Sequence, residues 1–190
     1  MYDQMTMTST GGTGWRKPLW LLLLVAASVA FTLGFACATP LAAFAAAAAA
    51  TLGRRDALLV AAGVWLANQI VGFSILSYPT NADSLAWGVI MGAATLIAVE
   101  AARPAVALLG TRLGTMVRFA TAFAVAFLVY EVLLYVPAVA GLSGIEEFEP
   151  GVVILVFKIN AAALAGLWAI DRLGRATGLA PAAAVRERLA

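Results

Sequence analysis

Across 190 residues the chain carries 12% charged side chains against 63% hydrophobic ones, with a mean hydropathy of +0.96; soluble domains run at about 25% charged and about 45–50% apolar, so the composition argues for an integral membrane protein. The absence of histidine and the presence of one cysteine, Cys37, exclude the usual zinc, haem and iron–sulfur ligand sets and any disulfide framework within the chain. A net charge of +2 says little, whereas the placement of the charges orders the whole chain.

Residues 1–14, MYDQMTMTSTGGTG, are polar and lack a hydrophobic period, so 1–17 is expected to be a disordered cytoplasmic tail. About 20 apolar residues cross a bilayer core at about 1.5 Å each. On that measure the apolar blocks predict an all-α bundle of six crossings over 18–173. The first spans 18–37. The second, 39–53, opens with Thr39 as N-cap and Pro40 at the first helical position. It holds only about 15 residues, roughly 22 Å, so it must thin the bilayer, tilt within the bundle or re-enter. The third crossing, 56–77, stops at the turn Tyr78-Pro79-Thr80-Asn81. The fourth, 84–101, starts at Asp83 or Ser84 as cap and carries the close-packing pattern Gly88-x-x-x-Gly92. Arg103-Pro104 then opens a short interfacial stretch. The fifth crossing is 114–137, the loop GLSGIEEFEPG follows, and the sixth is 152–170. From Asp171 the chain reads as a basic tail, with 174–190 cytoplasmic.

Short cytoplasmic loops are enriched in Lys and Arg, which tests this topology independently. With the N-terminus inside, Arg16, Lys17, Arg54, Arg55, Arg103, Arg112, Arg118, Arg172, Arg175, Arg186 and Arg188 all fall on the cytoplasmic side. The opposite loops hold Asp83, Glu146, Glu147 and Glu149 and no basic residue. Reading 18–53 as one kinked crossing would put Arg54 and Arg55 on the wrong side. The remaining cation, Lys158, lies inside the sixth span.

Glu131 in the fifth span and Lys158 in the sixth are the clearest functional signal, because an ionisable group near the bilayer centre costs about 2.5–3.5 kcal/mol on insertion scales. They form either a structural ion pair or part of a solute site, and Lys158 has the third option of snorkelling to the interface. Tyr135 and Phe127 flank Glu131 at i+4 and i−4, a cradle for a flat or cationic group. On the third span Trp65, Asn68 and Gly72 share one stripe, beside Gln69. Interhelical hydrogen bonding and solute contact both account for Asn68. Asn160, two residues past Lys158, falls on another face and reads as interhelical glue. Tyr78, Asp83 and Trp87 gather at an outward loop, either as a lid over a pocket or as a helix cap and aromatic belt. Cys37 has three readings: a small buried hydrophobe, part of an Ala36-Cys37-Ala38 processing site, or a thiol reachable at the outer mouth.

Six short-looped crossings with both ends inside and polar groups gathered at the outer end resemble the S components, the substrate-binding membrane subunits of energy-coupling-factor vitamin transporters. Ala26-x-x-x-Ala30 matches the A-x-x-x-A pattern that such proteins often carry on the first helix. The Gly-rich loops of the biotin-type member and the histidines of the cobalt and nickel members are missing. A solitary cobalamin-binding member uses a cysteine as cobalt ligand. That part of the resemblance implies such a role for Cys37 if the solute is a corrinoid; no other metal or cofactor is expected.

The reading is a multi-pass protein of the cell membrane, expected to be a bacterial inner membrane, that is not an enzyme and binds no nucleic acid. It captures a small organic solute, a vitamin or corrinoid, in an outward pocket of Cys37, Asn68, Tyr78, Asp83, Trp87, Glu131, Tyr135 and Lys158. Its partners are the lipid bilayer, the solute and an energising transporter subunit or other membrane subunits. The alternative is a structural or assembly subunit of a membrane complex that uses Gly88, Gly92 and the Ala45–Ala50 run for helix packing. A third reading is a channel or proton-coupled exporter titrating Glu131.

Overall fold

A computed structural model describes residues 15–35, 39–110 and 114–180. The 1–14 tail, Cys37, Arg112 and the chain from 181 onward lie outside the described residues. The described chain is helical without a strand: α1 Arg16–Phe35, α2 Leu41–Thr51, α3 Arg54–Ser74, α4 Ala82–Leu108, α5 Thr115–Val139, a 3-10 turn Ile145–Phe148, and α6 Pro150–Ala176. Five of these helices are long and apolar enough to cross a membrane; α2 is the exception.

α2 is the centre of the molecule. Apart from Leu41, Phe44 and Thr51 it is alanine, and every one of its residues is buried. A helix that is apolar all round has no solvent face to offer. Its methyl-sized side chains let α3, α4, α5 and α6 close around it. The largest of its side chains, Phe44, meets Phe31 of α1 edge-on at 5.9 Å.

Eleven residues make a helix of roughly 16 Å, about half the hydrocarbon thickness of a bilayer. The terminal N–H and C=O groups of such a helix must therefore be satisfied by protein. At the C-terminal end Arg118 Nη2 donates to the Ala50 carbonyl (3.0 Å) and Arg103 Nη1 to that of Leu52 (3.1 Å). Cations at a helix C-terminus also oppose the partial negative charge gathered there. At the other end the Asn160 amide oxygen of α6 accepts from the Ala43 N–H at 3.0 Å. Pro40 occupies the cap position without a side-chain hydrogen bond. Thr39, the expected cap, instead donates its hydroxyl to Asn68 Oδ1 of α3 at 2.7 Å.

Contacts at the arginine-rich end show how the helices alternate. Lys17 at the start of α1 pairs with Asp56 at the start of α3 (2.8 Å), and Arg54 of α3 pairs with Glu100 late in α4 (3.0 Å). Trp20 near the start of α1 lies over Gly174 near the end of α6, where an added Cβ would stand 2.4 Å from its ring. Starts of α1, α3 and α5 thus meet ends of α2, α4 and α6.

Several boundaries move outward from the sequence reading. α4 begins at Ala82, capped by Asn81, whose side chain accepts from Ser84 N at 2.8 Å, so neither Asp83 nor Ser84 is the cap. The same helix continues through Pro104 to Leu108 where an interfacial break is expected. Arg103, one residue before that proline, is tied to Leu52 and holds this turn against the bundle. α6 likewise runs on to Ala176. Asp171, expected to open a tail, is instead 3% exposed and takes two hydrogen bonds from Arg175, at 2.8 and 2.9 Å.

The Gly88-x-x-x-Gly92 pattern is spent between α3 and α4. Trp65 Nε1 donates to the Gly88 carbonyl at 2.7 Å. A Cβ on Gly92 would stand 2.6 Å from the Trp65 ring, and one on Gly88 would stand 2.8 Å from Gln69 Oε1. At Gly92 only glycine admits the Trp65 ring, whereas at Gly88 the neighbour is the far end of the flexible Gln69 side chain.

Candidate functional site

α2 stops short, and its neighbours continue past it. Among the described residues the space beyond Leu41 forms a cavity of about 510 Å³. Thr39 and Leu41 form its floor. α3 contributes Asn68, α4 contributes Trp87 and Met91, α5 contributes Tyr130, Glu131 and Leu134, and α6 contributes Val152, Val156 and Asn160. Tyr78 closes one side. Ser143, Gly144, Glu146, Glu147 and Phe148 bring the 3-10 turn over the opening.

Local chain chemistry places these groups. After α3 the chain reverses through Ser77, which adopts a left-handed φ of 56°, and Tyr78 N donates to the Gly72 carbonyl at 3.0 Å. The Tyr78 ring folds onto Gly72, where any Cβ would come within 2.3 Å, and meets Phe73 edge-on at 6.0 Å. Gly72 thereby turns an interfacial aromatic into a wall of the cavity. The 3-10 turn begins after Gly144, at φ +90°, and packs on Tyr135 through Phe148, rings 5.3 Å apart. Ser143 donates to an Asp83 carboxylate oxygen, which ties this loop to the start of α4.

The polar side chains divide into two sets. Asn160 has both ends engaged: its oxygen takes the Ala43 N–H, and its nitrogen donates to the Val156 carbonyl at 3.0 Å. Asn68, 3% exposed, uses its oxygen on Thr39, and its amide nitrogen has no acceptor among the described residues. Tyr130 is 6% exposed and lines the cavity, and its hydroxyl has no partner among the described residues. The Glu131 carboxylate likewise has neither hydrogen bond nor ion pair among them.

Of the residues singled out from sequence, the cavity brings together Asn68, Tyr78, Trp87 and Glu131. Asp83 stands behind the lining, in the tie to Ser143. Tyr135 is 48% exposed and supports Phe148 from outside. Phe127 turns to Phe123 and Phe157, at 5.5 and 5.3 Å, and joins α5 to α6. Lys158 requires correction: it is exposed on the outer face of α6, does not line the cavity and makes no ion pair with Glu131. Two residues along a helix turn it by about 200°, so burying Asn160 on α2 directs Lys158 away. Cys37 lies outside the described residues.

The sequence reading passed over Tyr130, Glu146, Glu147 and Phe148. Glu146 and Glu147 were visible as loop charge, but only the folding back of the 3-10 turn carries them to the cavity. Tyr130 sits beside Glu131 without a pattern to mark it. No protein-family model, curated protein or solved structure matches the chain.

Proposed function

We propose that this chain is a multi-pass membrane protein, with its arginine-rich end and both termini in the cytoplasm, that captures a small organic solute in the cavity above α2. The observation that carries the reading is an aromatic-walled cavity of about 510 Å³ lined by the Asn68 amide nitrogen, the Tyr130 hydroxyl and the Glu131 carboxylate, which have no partner among the described residues. Ligand sites are concave, largely apolar and furnished with a few placed polar groups, in volumes of about 300–1,000 Å³. That size favours a solute of one or two rings over a corrinoid, whose macrocycle and side arms exceed it. The resemblance to transporter S components extends the proposal to delivery through an energising partner subunit.

The assembly-subunit alternative loses its two supports. The Ala45–Ala50 run is buried inside this chain, and Gly88 and Gly92 are filled by its own Gln69 and Trp65. Native mass spectrometry of the full chain released from detergent tests solute capture. The expected result is a retained small molecule at one per chain that is lost in Val156→Trp, a substitution that fills the cavity. Wild-type protein emerging bare, or bound only to other protein chains, overturns the reading.

A further inference from the structure

We propose that the solute is an organic cation that carries a hydrogen-bond acceptor away from its charge, an inference that rests on reading the cavity as a solute site. Three carboxylates, on Glu131, Glu146 and Glu147, line the cavity, and among the described residues no Lys or Arg does. Lys158, the one cation in this half of α6, faces outward. An anionic solute would meet three like charges with nothing to offset them, whereas a cation gains from each. Tyr78, Trp87 and Phe148 add ring faces, which attract cations through their quadrupoles, more so where water is excluded.

The deep end of the cavity asks for the opposite group. The Asn68 amide nitrogen and the Tyr130 hydroxyl are donors on side chains at least nine-tenths buried, and neither has an acceptor among the described residues. Both side chains line the cavity, so a solute oxygen or ring nitrogen placed there completes them. The α2 N-terminus lies at the same floor, and its partial positive charge of about half a unit also favours the electron-rich end of a solute. The two ends together orient the solute: acceptor down against Asn68, Tyr130 and α2, cationic group up toward Glu131 and the acidic turn. Asn160 differs from Asn68 in having both amide ends taken, so it holds the floor in place without reaching for solute.

Equilibrium dialysis of the full chain in nanodiscs with three labelled probes tests the assignment. 1-Methylnicotinamide carries a fixed charge and an amide, 3-methylbenzamide keeps the shape and amide without the charge, and 1-methylpyridinium keeps the charge without the amide. Saturable binding of 1-methylnicotinamide is expected at one per chain, about tenfold tighter than either analogue. Glu131→Gln is expected to remove most of the advantage over 3-methylbenzamide, and Tyr130→Phe the advantage over 1-methylpyridinium. Should Glu131→Gln fail to insert, Glu146→Gln with Glu147→Gln, on the exposed turn, is expected to lower cation affinity about threefold. Equal binding of the charged and uncharged amides overturns the cation assignment, as does a charge preference that survives all three substitutions. So does the absence of saturable binding by any probe. Solute capture itself stands in each of these cases if native mass spectrometry shows a retained molecule.

Discussion

At its C-terminal end α2 delivers its last carbonyls to two arginines, Arg103 and Arg118, reaching in from α4 and α5. At its N-terminal end the same helix meets one asparagine, and beyond Leu41 there is a cavity. Both ends face the same requirement, because a buried helix terminus leaves unpaired polar groups that cost about 1–3 kcal/mol each. One end is closed by side chains long enough to reach and charged to oppose the dipole, although Arg118 Nε is itself buried without an acceptor among the described residues. The other is left with donors on Asn68 and Tyr130 that have no acceptor among the described residues. The difference separates an end whose carbonyls are met by protein from an end that opens onto a cavity.

The comparison is broken first at the closed end. Replacing Arg103 and Arg118 together by Met leaves the Ala50 and Leu52 carbonyls without their donors. The expected loss is about 3 kcal/mol, which lowers Tm by roughly 6–12 °C for a chain of this size, read by thermal unfolding in detergent. Affinity of the surviving folded protein for its solute is expected to be unchanged. A loss of affinity larger than the loss of stability would mean that the two ends are not independent.

Asn160→Leu tests the joint between them. It strands the Ala43 N–H beneath the cavity floor, and about 2 kcal/mol of stability is expected to go with it. Unlike the arginine pair, this variant is also expected to lose solute, because Asn160 holds the cavity floor in place. The smallest effect is predicted for Lys158→Met: within about 0.5 kcal/mol in stability and no change in solute binding, as for other surface substitutions. A marked fall in binding would restore Lys158 to the site and require α6 to rotate.

The legible and illegible features follow from how each signal is carried. Five long helices were legible because apolar length is a local property, and the Lys/Arg asymmetry was legible because it is a count along the chain. The stripe of Trp65, Asn68 and Gly72 was legible from helical spacing, and all three prove to be close-contact positions. Glu131 stood out by the cost of an acid in an apolar helix. Lys158 carried the same local signal and misled, since its cost depends on which way its helix faces. That facing is decided by Asn160 against α2, a contact 117 residues apart. Tyr135 and Phe127 misled for a related reason: sharing a face with Glu131 does not give them its depth or its neighbours.

Local sequence alone pointed to an all-helical chain of six crossings, the second of them short and alanine-rich, with lysine and arginine gathered at one end; five of the six prove to be of membrane length. Composition, helical spacing and charge order suffice for these, because each acts over a few turns of chain. Only the tertiary structure decided that the short segment is the buried core of the bundle and that its shortness opens a cavity. It alone turned Tyr130, Glu146, Glu147 and Phe148 into one lining with Asn68 and Glu131, and set Lys158 outside. Those outcomes depend on where one helix ends relative to its neighbours, and no stretch of local sequence encodes that difference in reach.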